Sequence, residues 1–225
     1  MLDRLKLLLN DEQINKIKKL NILIVGVGGV GGYALESLVR SGVSNITIID
    51  NDVVDESNLN RQIISLKSNI GKNKVDVAKD RCLDINPSCK ITTIKSFIDK
   101  SNIDDINYKD YDYIIDACDT ITTKVLLIKK AKENNIKIIS CMGTGNRFNP
   151  EKLTITKLSK TNNDPLAKIM RKLLKDEGIN DVLVCWSSEL PIKNNSRTPG
   201  STIFVPATAG LVISSYIISN IIKDA

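Results

Sequence analysis

The stretch NILIVGVGGVGGYALESL, Asn21 to Leu38, decides the fold. Four aliphatic residues, Ile22 to Val25, run straight into Gly26, Gly28 and Gly31, and a helical apolar pattern begins at once behind them. Strand, glycine turn and helix in that order make the G-x-G-x-x-G unit that holds a phosphate-bearing ligand. The glycines let backbone approach the phosphate, while the helix N-terminus supplies unpaired N–H groups and a partial positive charge. Taken alone, the unit suits a dinucleotide and ATP equally.

Outward from the turn the same alternation continues. ITIID (46–50), KITTI (90–94), YIIDA (113–117) and KIIS (137–140) are short β-branched runs of buried-strand length. Helical stretches separate them: VGGYALESLVRSG closing on Gly42, KVDVAKDRCLDIN stopping before Pro87, and TKVLLIKKAKENN. Strands alternating with helices imply right-handed crossovers and a doubly wound, mainly parallel α/β sheet flanked by helices. Past Cys141 the pattern loosens. KLTITKL (152–158) and DVLVCWSSE (181–189) read as strands that extend the same sheet, with a helix opening at Pro165 between them. At 225 residues a single domain is expected. It comprises an N-terminal helical segment (1–20), a Rossmann-like nucleotide-binding core (21–145) and a C-terminal substrate-binding part (146–225). The turn-forming, polar stretch near 188–202 is the expected flexible loop.

Composition removes several chemistries. The apolar fraction is 42% but aromatics are only 4%, so Ile, Val and Leu build the core. No histidine occurs, which eliminates Ser-His-Asp and Cys-His nucleophile pairs and histidine metal sites. The five cysteines, Cys82, Cys89, Cys118, Cys141 and Cys185, never form a CxxC pair; no zinc is expected, and reduced, mostly buried thiols fit a cytoplasmic setting. The 32 basic against 26 acidic side chains give a net charge of +6, compatible with an RNA partner and equally with a lysine-rich solubilising surface. The apolar C-terminal stretch IFVPATAGLVISSYIISNII is broken by Pro206, Gly210, Ser and Asn, and reads as a buried final helix, with no membrane expected.

The residues beyond the glycine turn separate the two ligands. Asp50 ends the next strand, at the distance of an acid that hydrogen-bonds a ribose. Arg61 then falls in a loop and Lys74 at a helix start. These cations suit a β,γ-phosphate pair, for which a nicotinamide ring has no use. DACDT adds Asp116, which could instead cap the following helix, and Asp119 at the carboxyl edge of the sheet, where Mg²⁺ could be held.

The ordered run VGVGGVGG, IIDND, SNLNRQ, GKNKV, DINP and DACDT resembles the ubiquitin-activating-enzyme-like adenylating proteins, which include the ThiF- and MoeB-type sulfur-carrier adenylyltransferases. The resemblance implies an ATP site formed by Gly26, Gly28, Gly29, Gly31, Asp50, Asp52, Ser57, Asn58, Asn60, Arg61, Lys74, Asp119 and Thr120. Asp119 would hold Mg²⁺, and Arg4 would reach across a homodimer, so that Arg4, Arg61, Lys74 and Asp119 form the catalytic set. Where the sulfur-carrier enzymes have Asn after the second Asp of DxxDN, this chain has Thr120. With SCMGTGNRFNP, DPLAKIMRKLL and VPATAGL included, the chain is similar to the tRNA threonylcarbamoyladenosine dehydratases over nearly its whole length. The paired CxxC cysteines usual in the sulfur-carrier enzymes are absent here.

That resemblance implies ATP-dependent adenylation of a carboxylate on tRNA carrying threonylcarbamoyladenosine, then ring closure with release of AMP. Lys168, Arg171, Lys172 and Lys175 fall at i, i+3, i+4, i+7 and would form a basic stripe for tRNA phosphates, assisted by Arg147. The alternatives are an adenylyltransferase acting on the Gly-Gly end of a ubiquitin-like sulfur carrier, with a sulfur-transfer partner, and an NAD-binding or catalytically silent module. Cys185, near where sulfur-transferring relatives place a working cysteine, reads as a buried strand residue.

Overall fold

The computed structural model describes residues 1–196 and 198–223. Arg197, within the expected flexible loop, and the last two residues of the expected single domain lie outside the described residues. Among the described residues, seven strands form one sheet in the order β3-β2-β1-β4-β5-β7-β6. β1 (Asn21–Val25), β2 (Asn45–Ile49), β3 (Lys90–Ile94), β4 (Tyr113–Asp116), β5 (Lys137–Cys141) and β7 (Leu183–Ser187) run parallel, and β6 (Leu153–Lys157) closes the edge antiparallel to β7. The sheet therefore continues into the C-terminal region, as the strand patterns anticipate.

Alternate residues of each strand feed opposite faces, the period-two geometry of a sheet buried on both sides. Ile22, Ile24, Ile46, Ile48 and Ile115 pack with α1 (Asp11–Lys19), α2 (Gly31–Arg40), α3 (Lys74–Ile85) and α6 (Phe204–Lys223). Leu23, Val25, Ile49 and Ile114 face α4 (Ile121–Glu133) and α5 (Pro165–Asp176) on the other side. The helix starts are written locally. Asn10 and Gln13 form a reciprocal capping box on α1, and Asp164 caps α5 by accepting from Ala167 N at 3.0 Å, with Pro165 at the first helical position.

α6 is long and apolar enough to cross a bilayer by length and composition, yet Val205, Ala209, Ile213 and Ile217 are buried in the core. It lies close against α2. A Cβ at Gly210 would stand 2.4 Å from the Val30 carbonyl oxygen, and the Ser214 hydroxyl donates to the Ala34 carbonyl at 3.1 Å.

Candidate active site

The order 3-2-1-4-5 reverses direction between β1 and β4, and such a switch point opens a crevice at the carboxyl ends of the strands. A cleft of about 680 Å³ occupies that place, bounded by Gly26, Asp50, Ala117 and Met142 at the ends of β1, β2, β4 and β5. The turn after β1 can be made only by glycine at two points. Gly26 has φ +90°, and a Cβ at Gly31 would stand 1.8 Å from the Gly26 carbonyl oxygen, so α2 starts directly against the strand end.

Of the residues singled out in the sequence, Gly26, Gly28, Gly29, Asp50, Asp52, Asn58, Arg61, Lys74, Asp119 and Thr120 all line this one cleft. Asp50 is fixed from both sides: one carboxylate oxygen accepts from Val27 N at 2.7 Å and the other from Asp52 N at 2.8 Å. Arg61 is oriented by its Nη1, which donates to the Ser57 carbonyl at 2.6 Å and to Asn60 Oδ1 at 3.0 Å. Lys74 opens α3, where its ammonium meets the unfavourable positive end of the helix. Asp52, 2.7 Å away and 56% exposed, supplies the counter-charge. Asp119 is exposed at the rim, and the Thr120 hydroxyl leans towards it at 3.4 Å. Gly31, Ser57 and Asn60 are not among the described residues that line the cleft. Arg4 is not among the described residues lining the cleft; it sits exposed in an N-terminal segment with Leu7 and Leu8, which are 76% and 80% exposed.

The ThiF family's sequence pattern matches residues 2–190. A tRNA threonylcarbamoyladenosine dehydratase of Bacillus subtilis (strain 168) is 37% identical over 239 residues, covering 98% of this chain and 94% of the relative. The Escherichia coli (strain K12) protein of that name is 39% identical over 157 residues, 70% of this chain and 59% of the relative. The crystal structure of E. coli tRNA N6-threonylcarbamoyladenosine dehydratase, TcdA, in complex with ATP superposes with a TM-score of 0.91 at 32% identity, covering 97% of this chain and 92% of that one. The chain belongs to the ThiF family.

Beneath the cleft this ThiF-family chain holds a polar cluster that motif reading does not disclose. Asp116 is fully buried, and both its oxygens lie 3.2 Å from Lys124 Nζ, itself 1% exposed. Ser140 donates to the same carboxylate at 2.5 Å, Cys118 N at 3.3 Å, and Lys124 also reaches the Cys141 carbonyl at 2.8 Å. Asp116 thus neither caps α4 nor faces the ligand side; it anchors the turn that carries Asp119. Burial alone would lower the Lys124 pKa, but the facing Asp116 carboxylate outweighs it and raises it. Burial, reinforced by Asp116, pushes the Cys118 thiol well up. A signal for this cluster exists in the sequence: Lys124 shares a helical face with Leu127, Ile128 and Ala131, and a lysine on an apolar face beside a strand-end aspartate marks a buried pair.

The basic residues assigned to tRNA divide in two. Arg147, expected to assist in holding tRNA phosphates, is 3% exposed. It donates to the carbonyls of Gly143, Asn163 (3.3 Å) and Glu189 (3.1 Å) and lies 3.4 Å from the buried Asp164 carboxylate. A guanidinium folded among carbonyls in this way is a strut of the cleft wall, so Arg147 is withdrawn from surface phosphates. Arg171 likewise folds back onto the Thr161 carbonyl at 3.0 Å and the Thr161 hydroxyl. Lys168, Lys172 and Lys175 stay exposed on α5.

Asn146, which sequence reasoning passes over, holds several residues of the expected flexible loop. Asn146 adopts φ +56°, which asparagine tolerates. Its backbone pairs with Gly200 (2.7 Å) and Ile192 (2.6 Å), and its side-chain oxygen accepts from Gly200 N and Asn194 Nδ2. Cys185 is 1% exposed in β7, and its hydrogen-bonded neighbour Cys141 and burial push its thiol far up. Such a thiol is held protonated, which disfavours a nucleophilic role.

Proposed function

We propose that this chain catalyses the ATP-dependent dehydration of threonylcarbamoyladenosine in tRNA, by adenylating the threonyl carboxylate and letting an internal group of the nucleoside close the ring. The observation that carries the reading is the convergence of Asp50, Arg61, Lys74 and Asp119 on one cleft at the sheet's switch point, in a chain that matches dehydratases almost end to end.

In the first step a carboxylate oxygen attacks the α-phosphorus of ATP, a P–O bond forms, and the bond to pyrophosphate breaks. A carboxylate is already a competent nucleophile, so the protein has chiefly to align the attack and neutralise charge. The glycine turn and α2 N-terminus receive phosphate oxygens, Asp50 the ribose, and Ser57 to Arg61 with Lys74 the departing pyrophosphate. Mg²⁺ prefers one or two carboxylates supplemented by substrate phosphates and water, and the exposed carboxylate of Asp119 fits that demand; a bound Mg²⁺ would supply positive charge to the phosphates. In the second step the internal group attacks the acyl carbon, AMP leaves, and the balance is loss of one water from the nucleoside at the cost of ATP to AMP and pyrophosphate.

Residues 1–225 act as one adenylating domain: the N-terminal segment 1–20, the nucleotide core 21–145 and the substrate part 146–225. Exposure of Arg4, Leu7 and Leu8 supports a homodimer in which Arg4 completes the neighbouring copy's site. Lys168, Lys172 and Lys175 offer the track for tRNA phosphates, in a protein of the cytoplasm. Cys185, buried at 1% exposure and not among the described residues lining the cleft, lends no support to the alternative, sulfur-carrier activation with a sulfur-transfer partner.

The test is incubation with ATP, Mg²⁺ and tRNA carrying threonylcarbamoyladenosine, followed by nucleoside mass analysis. A product lighter by one water, with AMP formed, is expected. An unchanged nucleoside beside ATP–pyrophosphate exchange that needs a Gly-Gly-tailed protein would overturn it.

A further inference from the structure

The chain contains three phenylalanines, and all three are exposed: Phe97 46%, Phe148 57% and Phe204 50%. Phenylalanine is among the residues most often buried, and here the single tryptophan, Trp186, is buried at 8%. The exposed rings are not scattered. Phe97 lines the cleft directly. Phe148 follows Arg147, a residue of the cleft wall, and its N–H donates to the Glu189 carboxylate at 3.0 Å. Phe204 begins α6, two residues before Pro206, whose Cβ lies 3.3 Å from where a Cβ at Gly29 would stand. Two segments 56 positions apart in the chain thus bring Phe148 and Phe204 edge to face, with centroids 5.5 Å apart and planes at 62°, each within two residues of a residue that lines the cleft.

We propose that Phe148 and Phe204 form a platform on which a nucleobase of the RNA substrate stacks at the mouth of the cleft, a reading that rests on the RNA substrate proposed above. A nucleobase is a flat π-surface with a charged backbone behind it, and proteins that hold splayed-out bases combine aromatic faces with neighbouring cations. Both components are present. Lys152 ends the turn after Phe148, and Lys168 stands exposed on α5, whose first residues Pro165 and Leu166 line the cleft. In an edge-to-face pair one ring presents its edge to the other, and both rings stay half exposed, which leaves ring surface for a base to stack on. A modified adenosine can reach the glycine turn only with its neighbours unstacked, and the platform would replace the lost stacking for one of them.

The experiment uses the full-length protein, ATP and Mg²⁺ with an RNA hairpin carrying threonylcarbamoyladenosine, and 2-aminopurine placed in turn on either side of it. Stacking on the platform quenches the probe at one of the two positions. Phe148→Leu and Phe204→Leu are expected to abolish that quenching and to raise KM for the RNA about tenfold, while kcat and KM for ATP stay unchanged. Phe148→Tyr and Phe204→Tyr restore both. Quenching and RNA KM unaffected in the leucine variants at both probe positions overturn the proposal. So does a leucine variant whose sole change is a smaller sedimentation coefficient, because the rings then face a second copy of the chain. Should the wild type quench the probe without removing water from the nucleoside, the dehydratase reading fails while the stacking platform stands.

Discussion

The floor and the rim of the cleft are built from the same pair of residue types and use them for opposite ends. On the floor, Lys124 and Asp116 are 1% and 0% exposed and are closed off by Ser140 and the Cys141 carbonyl. At the rim, Lys74 is buried along its stem, but its partner Asp52 is 56% exposed and both line the cleft. A buried pair is worth little as net stabilisation, yet breaking it strands a charge in a medium that cannot solvate it. A pair open on one side can exchange its partner for a phosphate at small cost. The difference lies in which cations remain free to answer a ligand, and residue type alone does not decide it.

The sharpest way to break that comparison is to remove the floor lysine. Lys124→Met leaves Asp116 unpaired and is expected to destabilise the protein by about 3–5 kcal/mol, read as a lowered urea midpoint. Adding Asp116→Leu removes the stranded charge and should return much of that loss. If the single variant unfolds no earlier than wild type, the pair is solvated in a way its burial does not describe.

At the rim the effect should appear in rate and leave stability alone. Arg61→Ala is expected to slow ATP-dependent turnover on the order of 10²-fold or more, by analogy with loss of one preorganised donor to a developing negative charge. Its urea midpoint should stay near wild type, because the guanidinium's resolved bonds are to its own turn, Ser57 and Asn60. A fall in both quantities would move Arg61 from the rim class to the floor class.

Legibility in the sequence divides along the same line. The seven strands and the glycine turn are readable because periodicity and the G-x-G-x-x-G spacing are local properties, and Asp50, Arg61, Lys74 and Asp119, picked out by ordered motifs behind that turn, all line one cleft. Lys124 escapes because its partner is eight residues away across a strand-to-helix turn, and motif reading assigns the neighbouring carboxylates to metal and cap. Arg147 reads in the sequence as an aid to tRNA-phosphate binding, whereas carbonyls from three separate segments enclose it. Asn146 is missed for a similar reason. Its importance comes from a left-handed backbone conformation and from partners about fifty residues away, neither of which a window of sequence contains.

The α5 stripe sharpens the comparison on the outer surface. Replacing Lys168, Lys172 and Lys175 by alanine should weaken tRNA binding and flatten the slope of log affinity against log salt by roughly two to three units, as expected for three lost phosphate contacts. Arg171→Ala should leave the slope unchanged and instead lower thermal stability, because its donors are spent on Thr161. Equal slope changes for Arg171 and the lysines would erase the distinction.

Glu36 lies between floor and rim in burial, and its effect should be the smallest and depend on pH. Its carboxylate, 12% exposed, meets Arg40 at 2.8 Å and Arg81 at 2.5 Å, tying α2 to α3. Burial would raise its pKa, but the hydrogen bonds from Arg81 and Arg40 outweigh it and hold it below the ordinary glutamate value of 4.5. A carboxyl group that binds its proton less readily when folded stabilises the protein above its unfolded pKa, and loses that contribution as pH falls through the folded one. Glu36→Gln should therefore lower the melting temperature at pH 7 and converge on wild type only in strongly acidic buffer, below the ordinary carboxylate range. The two arginines remain charged throughout, so the convergence reports the glutamate alone. A gap that persists unchanged into acid would mean that the amide loses packing or hydrogen bonds, and that charge at this junction of α2 and α3 contributes nothing.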